Sequence, residues 1–413
     1  MRALISLLLL PLTAWSALGQ TASAEGDGWT RSSVVVTDTQ FANWSGTRGT
    51  NLGDPSPASG SQIYSSFRNT LSVEKPGTIR VELDLKGGNV YSLHKASGIR
   101  TEFSSFTDTQ IAANITFLGI RGFQPFAGLA FNLPTGRSAL PVEKRFVRMD
   151  SDLVPLGAYG EGININPTAG FTFAPNSSLT ISPSVGYAFR GRYEQEGLNG
   201  NVATPGALIT ITRDTTLVTP GDMLTASSNL AYNFEKWSLF STFAYFSTSQ
   251  VELAGLPVAK QGARYAFNAN LTYTFSETFA LSAGGTWTFA EKNEYALTGA
   301  LEKEHLNTNS HLVSIFVKPS ATFGDVTTHG LYSFTHRDQN FYDIAQDRFV
   351  PSKIKHLVGG GADLSLGQGR VVSLEAGRFW VFEKDGSTFT GESLPPALSY
   401  AGWSGQITAR FNF

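Results

Sequence analysis

The sequence predicts an all-β protein, a transmembrane antiparallel up-and-down β-barrel of sixteen strands, with fourteen as the alternative. Three observations carry this. The last eleven residues alternate: Trp403, Gly405, Ile407, Ala409, Phe411 and Phe413 are apolar or small, while Ser404, Gln406, Thr408, Arg410 and Asn412 are polar, so one strand face suits hydrocarbon and the other water. The stretches 263–275 and 279–289 repeat the pattern around the short turn Ser276-Glu277-Thr278. At about thirteen residues, such strands exceed the usual length in globular sheets and match a tilted membrane strand with wet ends. Along the chain, tight turns alternate with long connections, as when one rim of a barrel carries the turns and the other the loops.

In chain order, residues 1–24 read as a secretory signal: Arg2 is the positive start, residues 3–12 are mostly apolar, and Ala22-Ser23-Ala24 is a small-residue cleavage site. The apolar run is too short for a membrane-spanning helix, and no later run reaches eighteen residues. With no cysteine, there is no lipidation site, disulfide framework or thiolate metal site. A net charge of −2 argues against nucleic acid, which calls for a basic footprint. Only 15% of residues are charged, which is low for a soluble domain, and Gly and Phe abound, as suits a barrel that is apolar outside.

Seven hairpins follow, over 63–85, 101–133, 163–190, 224–249, 263–289, 311–335 and 354–382. Their turns are built from residues such as Lys75-Pro76-Gly77, Gly119 to Gly122, Pro175-Asn176-Ser177, Glu235-Lys236, Gly324-Asp325 and Gly367-Gln368-Gly369. Long connections are expected at 87–97, 134–161, 191–221, 251–262, 292–309, 339–352 and 384–401. With the terminal strand the count is fifteen, and an even barrel needs one more, expected at Ser33 to Thr39 and closing on the last strand. Residues 61–413 form the barrel in this reading, and 25–60 supply the extra strand or, with fourteen strands, a plug. Aromatics form two girdles: Phe173, Phe234, Phe275, Phe279, Phe323 and Phe413 beside the short turns, and Tyr187, Phe189, Tyr245, Trp287, Phe289, Tyr332, Phe334, Trp380 and Trp403 eight to ten residues away. At ~3.3 Å per residue and a tilt near 40°, that separation is on the order of 20–25 Å, the height of the apolar band. The expected location is therefore the bacterial outer membrane, with Phe411 and Phe413 as the signal read by barrel-assembly machinery.

Strand phase assigns faces. It places Arg68, Arg80, Glu82, Asp84, Lys86, Arg100 and Glu102 on the lumen side, followed by Arg190, Arg192, Arg264, Lys318, Lys355, Asp363, Glu375 and Arg410. Either these charges pair across strands and keep the lumen wet, or they form a constriction whose transverse field orients polar solutes. Arg378 falls on the outward phase, which suggests the outer rim or a bulge at Gly377. The long connection 134–161 carries Arg137, Glu143, Lys144, Arg145 and Arg148, and is the candidate to fold inward as a constriction; the alternative is an external solvated loop. The six histidines show no metal-ligand spacing on one strand face and no G-x-S-x-G elbow is present, so neither an enzyme nor a metal or other cofactor is expected.

Thr107-Asp108-Thr109-Gln110-Ile111, followed by Phe131-Asn132-Leu133-Pro134-Thr135-Gly136, resembles the outer-membrane barrels assigned to meta-pathway phenol degradation, which are similar in turn to long-chain fatty-acid transporters. The resemblance implies a channel for small hydrophobic or aromatic molecules, with outer-membrane lipid and a small solute as partners. A general diffusion porin and a non-transporting surface barrel are the alternatives. Strand prolines such as Pro125 and Pro183 mark where the wall would open laterally.

Overall fold

A computed structural model describes residues 28–50, 53–96, 99–140, 159–196, 200–204, 207–211, 215–253, 255–296, 300–342, 349–384 and 398–413. The signal-peptide segment lies outside them. The wall consists of β1 (Thr30–Thr50), β2 (Gly53–Lys75), β3 (Ile79–Ala96), β4 (Ile99–Phe106 and Thr109–Phe117), β5 (Phe123–Leu133), β6 (Asn164–Phe173), β7 (Leu179–Arg190) and β8 (Met223–Phe234). It continues through β9 (Trp237–Thr248), β10 (Arg264–Thr274), β11 (Phe279–Ala290), β12 (Leu312–Phe323), β13 (Val326–Arg337), β14 (Lys353–Ser365), β15 (Val371–Glu383) and β16 (Leu398–Asn412). Each strand pairs antiparallel with its sequence neighbours, and β1 pairs with β16 from Val34–Asn412 to Thr47–Ser399. The result is a closed barrel of sixteen strands, which leaves no free sheet edge in the membrane.

Tight turns follow from local chemistry. Asn176 accepts from the N–H groups of Ser178 and Leu179, and the Ser276 hydroxyl accepts from Thr278 and Phe279, so these side chains serve backbone donors that the ladders leave out. In the two-residue turn between β12 and β13, Gly324 supplies a φ of 60°.

The structure departs from the sequence reading in several places, among them the first four strands, and short strands such as Thr215–Thr219, Val251–Leu253 and Glu294–Ala296 lie within connections expected to be loops. The strand expected at Ser33 to Thr39 spans Thr30–Thr50, and with Gly53–Lys75 it makes residues 30–50 and 53–75 part of the wall rather than a plug. The expected loop at 87–97 is the upper half of β3, which runs to Ala96 because β2 continues beside it through Ala58. The strand expected over Thr101 to Leu118 is broken at Thr107-Asp108. Three residues there (107–109) face only Gly87 and Gly88, since Lys86 pairs with Gln110 and Asn89 with Phe106.

That one-residue bulge reverses the phase of everything above it. Glu102 pairs with Leu93 and Arg100 with Lys95, on the same face as the exposed Tyr91, so both lie on the outside of the barrel and bond to each other. The inward placement of Arg100 and Glu102 is thus corrected. Phe103 takes the inner face instead, where it is buried beside Val90.

Packing inside the barrel is concentrated where β14–β16 close onto β1–β4. One cluster joins Ala42, Trp44, Ala58, Phe379 and Val381, with Leu357 and Tyr400 against it; a second joins Val90, Phe103, Leu140 and Tyr159, with Tyr64 against it. The expected opening at Pro125 is absent, since β5 and β6 pair continuously from Phe123–Phe173 to Asn132–Asn164. Opposite Pro183 the β6–β7 ladder skips Phe171 and Thr172, but the hydroxyls of Thr172 and Ser182, 3.0 Å apart, bridge the gap.

Candidate functional site in the lumen

Pro134 ends β5, and the chain turns into the barrel rather than away from it. Leu140 and Tyr159, on either side of 141–158, are buried against Val90 and Phe103 of the inner wall. The Gln62 amide donates to the Tyr159 hydroxyl at 3.3 Å and to Ser92 Oγ at 2.8 Å.

The β4 bulge holds both ends of this loop. Asp108 Oδ1 accepts from the N–H of Gly136 at 2.9 Å, and Oδ2 accepts from Asn132 Nδ2 and the N–H of Glu161, each at 2.7 Å. Asn132 Nδ2 also reaches the Gly162 carbonyl at 2.7 Å. The bulge takes the Thr109 N–H out of the ladder, and Thr135 Oγ1 accepts it at 2.8 Å while donating to the Thr107 carbonyl at 3.0 Å. A side chain at Gly136 would place its Cβ 1.9 Å from the Tyr159 carbonyl oxygen, so only glycine lets the two stem strands approach. The residues quoted for the family resemblance are therefore the clasp of the loop. Arg137 lies in this stem and is exposed, whereas Glu143, Lys144, Arg145 and Arg148 lie outside the described residues.

The lumen charges fall into two groups. On β2 and β3, Asp84 holds Arg68 at 2.9 Å and accepts from Thr70; Arg80 pairs with Glu74 at 2.6 Å, and Glu82 lies on the same inward face between them. On β12–β15, Glu375 Oε2 lies 3.5 Å from Lys318 Nζ and 3.0 Å from His329 Nε2, with Asp363 3.9 Å from the other ring nitrogen. His329, Gly361 and Glu375 share one row across three strands, and the missing side chain at Gly361 lets the imidazole reach across. Arg190 faces Glu161 at 3.5 Å, Arg264 lies 4.6 Å over the Phe246 ring, Lys355 lies over Phe379, and Arg410 donates to Asn412 at 3.3 Å. Arg192 lies beyond the end of β7, off the wall strands. Cross-strand and same-face pairing thus describes most of these groups, as in a hydrated wall.

The inner wall also carries aromatics that phase reading by charge missed. Phe243 pairs with Phe267 on the outer face, so Phe240 and Phe246 of β9 point inward. Phe126 of β5 and Phe316 of β12 are inward as well: a side chain at Gly170 would meet the first ring, and one at Gly284 the second. Phe240 remains 47% exposed although it faces the lumen, so its ring is open to whatever passes. The signal was the sequence WSLFSTFAYFST, with aromatics on both phases of a single strand.

Beneath the loop stem lies a cavity of about 580 Å³, lined among others by Tyr64, Lys86, Asp108, Asn164, Arg190 and Arg264. On the outside, exposed Phe, Tyr, Trp and Leu side chains encircle the wall, and the outward Arg378 lies 5.3 Å from the Trp380 ring and 5.9 Å from the Trp403 ring. Arg378 pairs in register with Val358 and Trp403, so there is no bulge at Gly377; the arginine is held at the outer aromatic girdle by cation–π contacts. Among the described residues, no group of three or more His, Asp or Glu gathers to hold a metal ion.

Residues 153–301 match the family described as putative MetA-pathway of phenol degradation. The match spans about a third of the chain, and over that stretch the barrel is similar to this family. The matched segment runs from the second foot of the loop through β11, and the clasp residues 107–111 and 131–136 precede it. Among solved structures, the COG4313 outer membrane channel from Pseudomonas putida F1 is 10% identical with a TM-score of 0.39, over 66% of this chain and 92% of that one. OccAB1 from Acinetobacter baumannii is 8% identical with a TM-score of 0.43, over 96% of this chain and all of that one. OpdQ from Pseudomonas aeruginosa is 11% identical with a TM-score of 0.40, over 92% and 97%. No curated protein matches the sequence.

Proposed function

We propose that this barrel is an outer-membrane channel for small aromatic molecules and that it acts without catalysis. The observation that carries the reading is the inner wall: Phe126, Phe240, Phe246 and Phe316 project into a lumen that a purely aqueous pore would line with polar groups. Aromatic faces attract a flat apolar solute at ~0.5–1.5 kcal/mol per ring pair, enough to raise its local concentration without trapping it. The family description, which concerns phenol degradation, agrees with such a cargo. The test is uptake of labelled phenol at low concentration by cells with and without the gene. Faster uptake with the gene is expected, and equal rates would overturn the reading. Phe240→Ala should slow the gene-dependent uptake roughly two- to tenfold, the equivalent of one lost ring contact. In the same variant, potassium chloride conductance in planar bilayers should stay the same or rise.

The chain end is read as the partner-recognition signal of barrel assembly. Phe413 N–H donates to the Ser33 carbonyl at 2.8 Å and its carbonyl accepts from Ser33 at 3.0 Å, so the last residue closes the seam between β1 and β16. Its ring faces outward and is half exposed. Removing Phe413 unpairs backbone groups at the lipid boundary, each costing several kcal/mol, and should lower folded protein in the outer membrane on the order of tenfold. Heat-modifiable migration on gels measures this; an undiminished folded band would sink the assignment.

A further inference from the structure

We infer that the cavity beneath the loop stem is a binding subsite for small organic monocarboxylates, in particular those with a flat aromatic body. Three cations reach it from separate parts of the wall: Lys86 on β3, Arg190 on β7 and Arg264 on β10. Two carboxylates accompany them. Both oxygens of Asp108 are occupied by the loop clasp, and Glu161 lies against Arg190. Among the described residues, neither Lys86 nor Arg264 has a carboxylate within ion-pair distance. Three positive groups against two negative ones leave one unneutralised charge, which matches a monoanion better than a phosphate dianion.

One further group points to an occupant. The Thr248 hydroxyl lines the cavity, buried and without a hydrogen-bond partner. A buried polar atom left unpaired costs about 1–3 kcal/mol, so this hydroxyl favours a ligand oxygen to which it can donate. Asn164 Oδ1, also unpartnered on the lining, is an acceptor, so a donor group on the ligand body and not the carboxylate would serve it. Tyr64 and Met223 supply the apolar side on which an aromatic body can lie. The stacking of Arg264 on Phe246 orients its guanidinium while leaving its N–H groups available to a carboxylate. This site deepens the channel reading by adding an anionic class of cargo.

The experiment is calorimetric titration of the full-length protein in detergent at neutral pH, with sodium benzoate as probe and benzyl alcohol as its neutral counterpart. Benzoate should bind at least about tenfold more tightly than benzyl alcohol, as expected for charge-assisted hydrogen bonds. That preference should vanish in Lys86→Gln/Arg264→Gln. Lys86→Gln alone, which removes a side chain with no ion-pair partner among the described residues, should weaken benzoate binding severalfold and guards against a misfolded double variant. Benzoate affinity equal to that of benzyl alcohol, or unchanged in both variants, would overturn the inference. Because binding is read without transport, it fails or stands separately from the channel reading, which rests on phenol uptake by cells.

Discussion

Replacing Asp108 by alanine is expected to release the loop stem and widen the pore. The Asp108 carboxylate accepts three hydrogen bonds, from Asn132, Gly136 and Glu161, and these join the end of β5, the first foot of the loop and its second foot. Hydrogen bonds to a charged acceptor contribute about 1.5–3 kcal/mol each, but three on one partly exposed carboxylate do not add, so a loss of roughly 3 kcal/mol is the reasonable figure. That corresponds to about a hundredfold shift towards the released stem. Single-channel conductance should rise, and trypsin should cut faster after Lys144, Arg145 or Arg148. Asp108→Asn, which keeps the shape but loses the charge, should fall between the two. Gly136→Val should give the same result by a different route, because its side chain would collide with the Tyr159 carbonyl. If conductance and cleavage are unchanged in all three variants, the clasp does not hold the loop.

The second large effect is expected at the upper rim of β13–β15. Glu383 Oε2 lies 3.1 Å from Lys353 Nζ and 3.5 Å from Arg337, whose guanidinium also donates to the Pro351 carbonyl. All three side chains are a quarter exposed or less. Removing Glu383 takes an anionic partner from two largely buried cations, and breaking such a buried ion pair costs up to about 3–5 kcal/mol. Glu383→Ala should therefore lower the unfolding free energy in detergent by about 3 kcal/mol, and Glu383→Gln by less, since its amide oxygen still accepts. An unmoved guanidinium chloride midpoint would show that Lys353 and Arg337 need no counter-charge at this rim.

Much of the architecture is local and was therefore legible in the chain. A strand crossing hydrocarbon must satisfy one face along its whole length, so the rows ending in Phe413 and running from Tyr265 to Phe289 declare their outward phase residue by residue. Sixteen strands, the tight turns and the two girdles all follow from that constraint.

What the chain by itself could not decide depends on neighbours. Arg100 and Glu102 obey the period-two pattern, yet the extra residue opposite Gly87 and Gly88 moves them to the outer face; a bulge exists only in the pairing of two strands. Phe240 is ambiguous within β9, where both phases carry aromatics, and faces the lumen because Phe243 is matched to Phe267 of β10. Asp108 reads as one acidic residue in a turn-like break until the fold brings Asn132, Gly136 and Glu161 to it. The sequence by itself determined that this protein is a membrane barrel and, where the alternation is unbroken as over 403–413, which residues face the lipid. Only the tertiary structure decided that Lys86, Arg190 and Arg264 share one cavity, because residues far apart in the chain meet only when the last strand closes on the first.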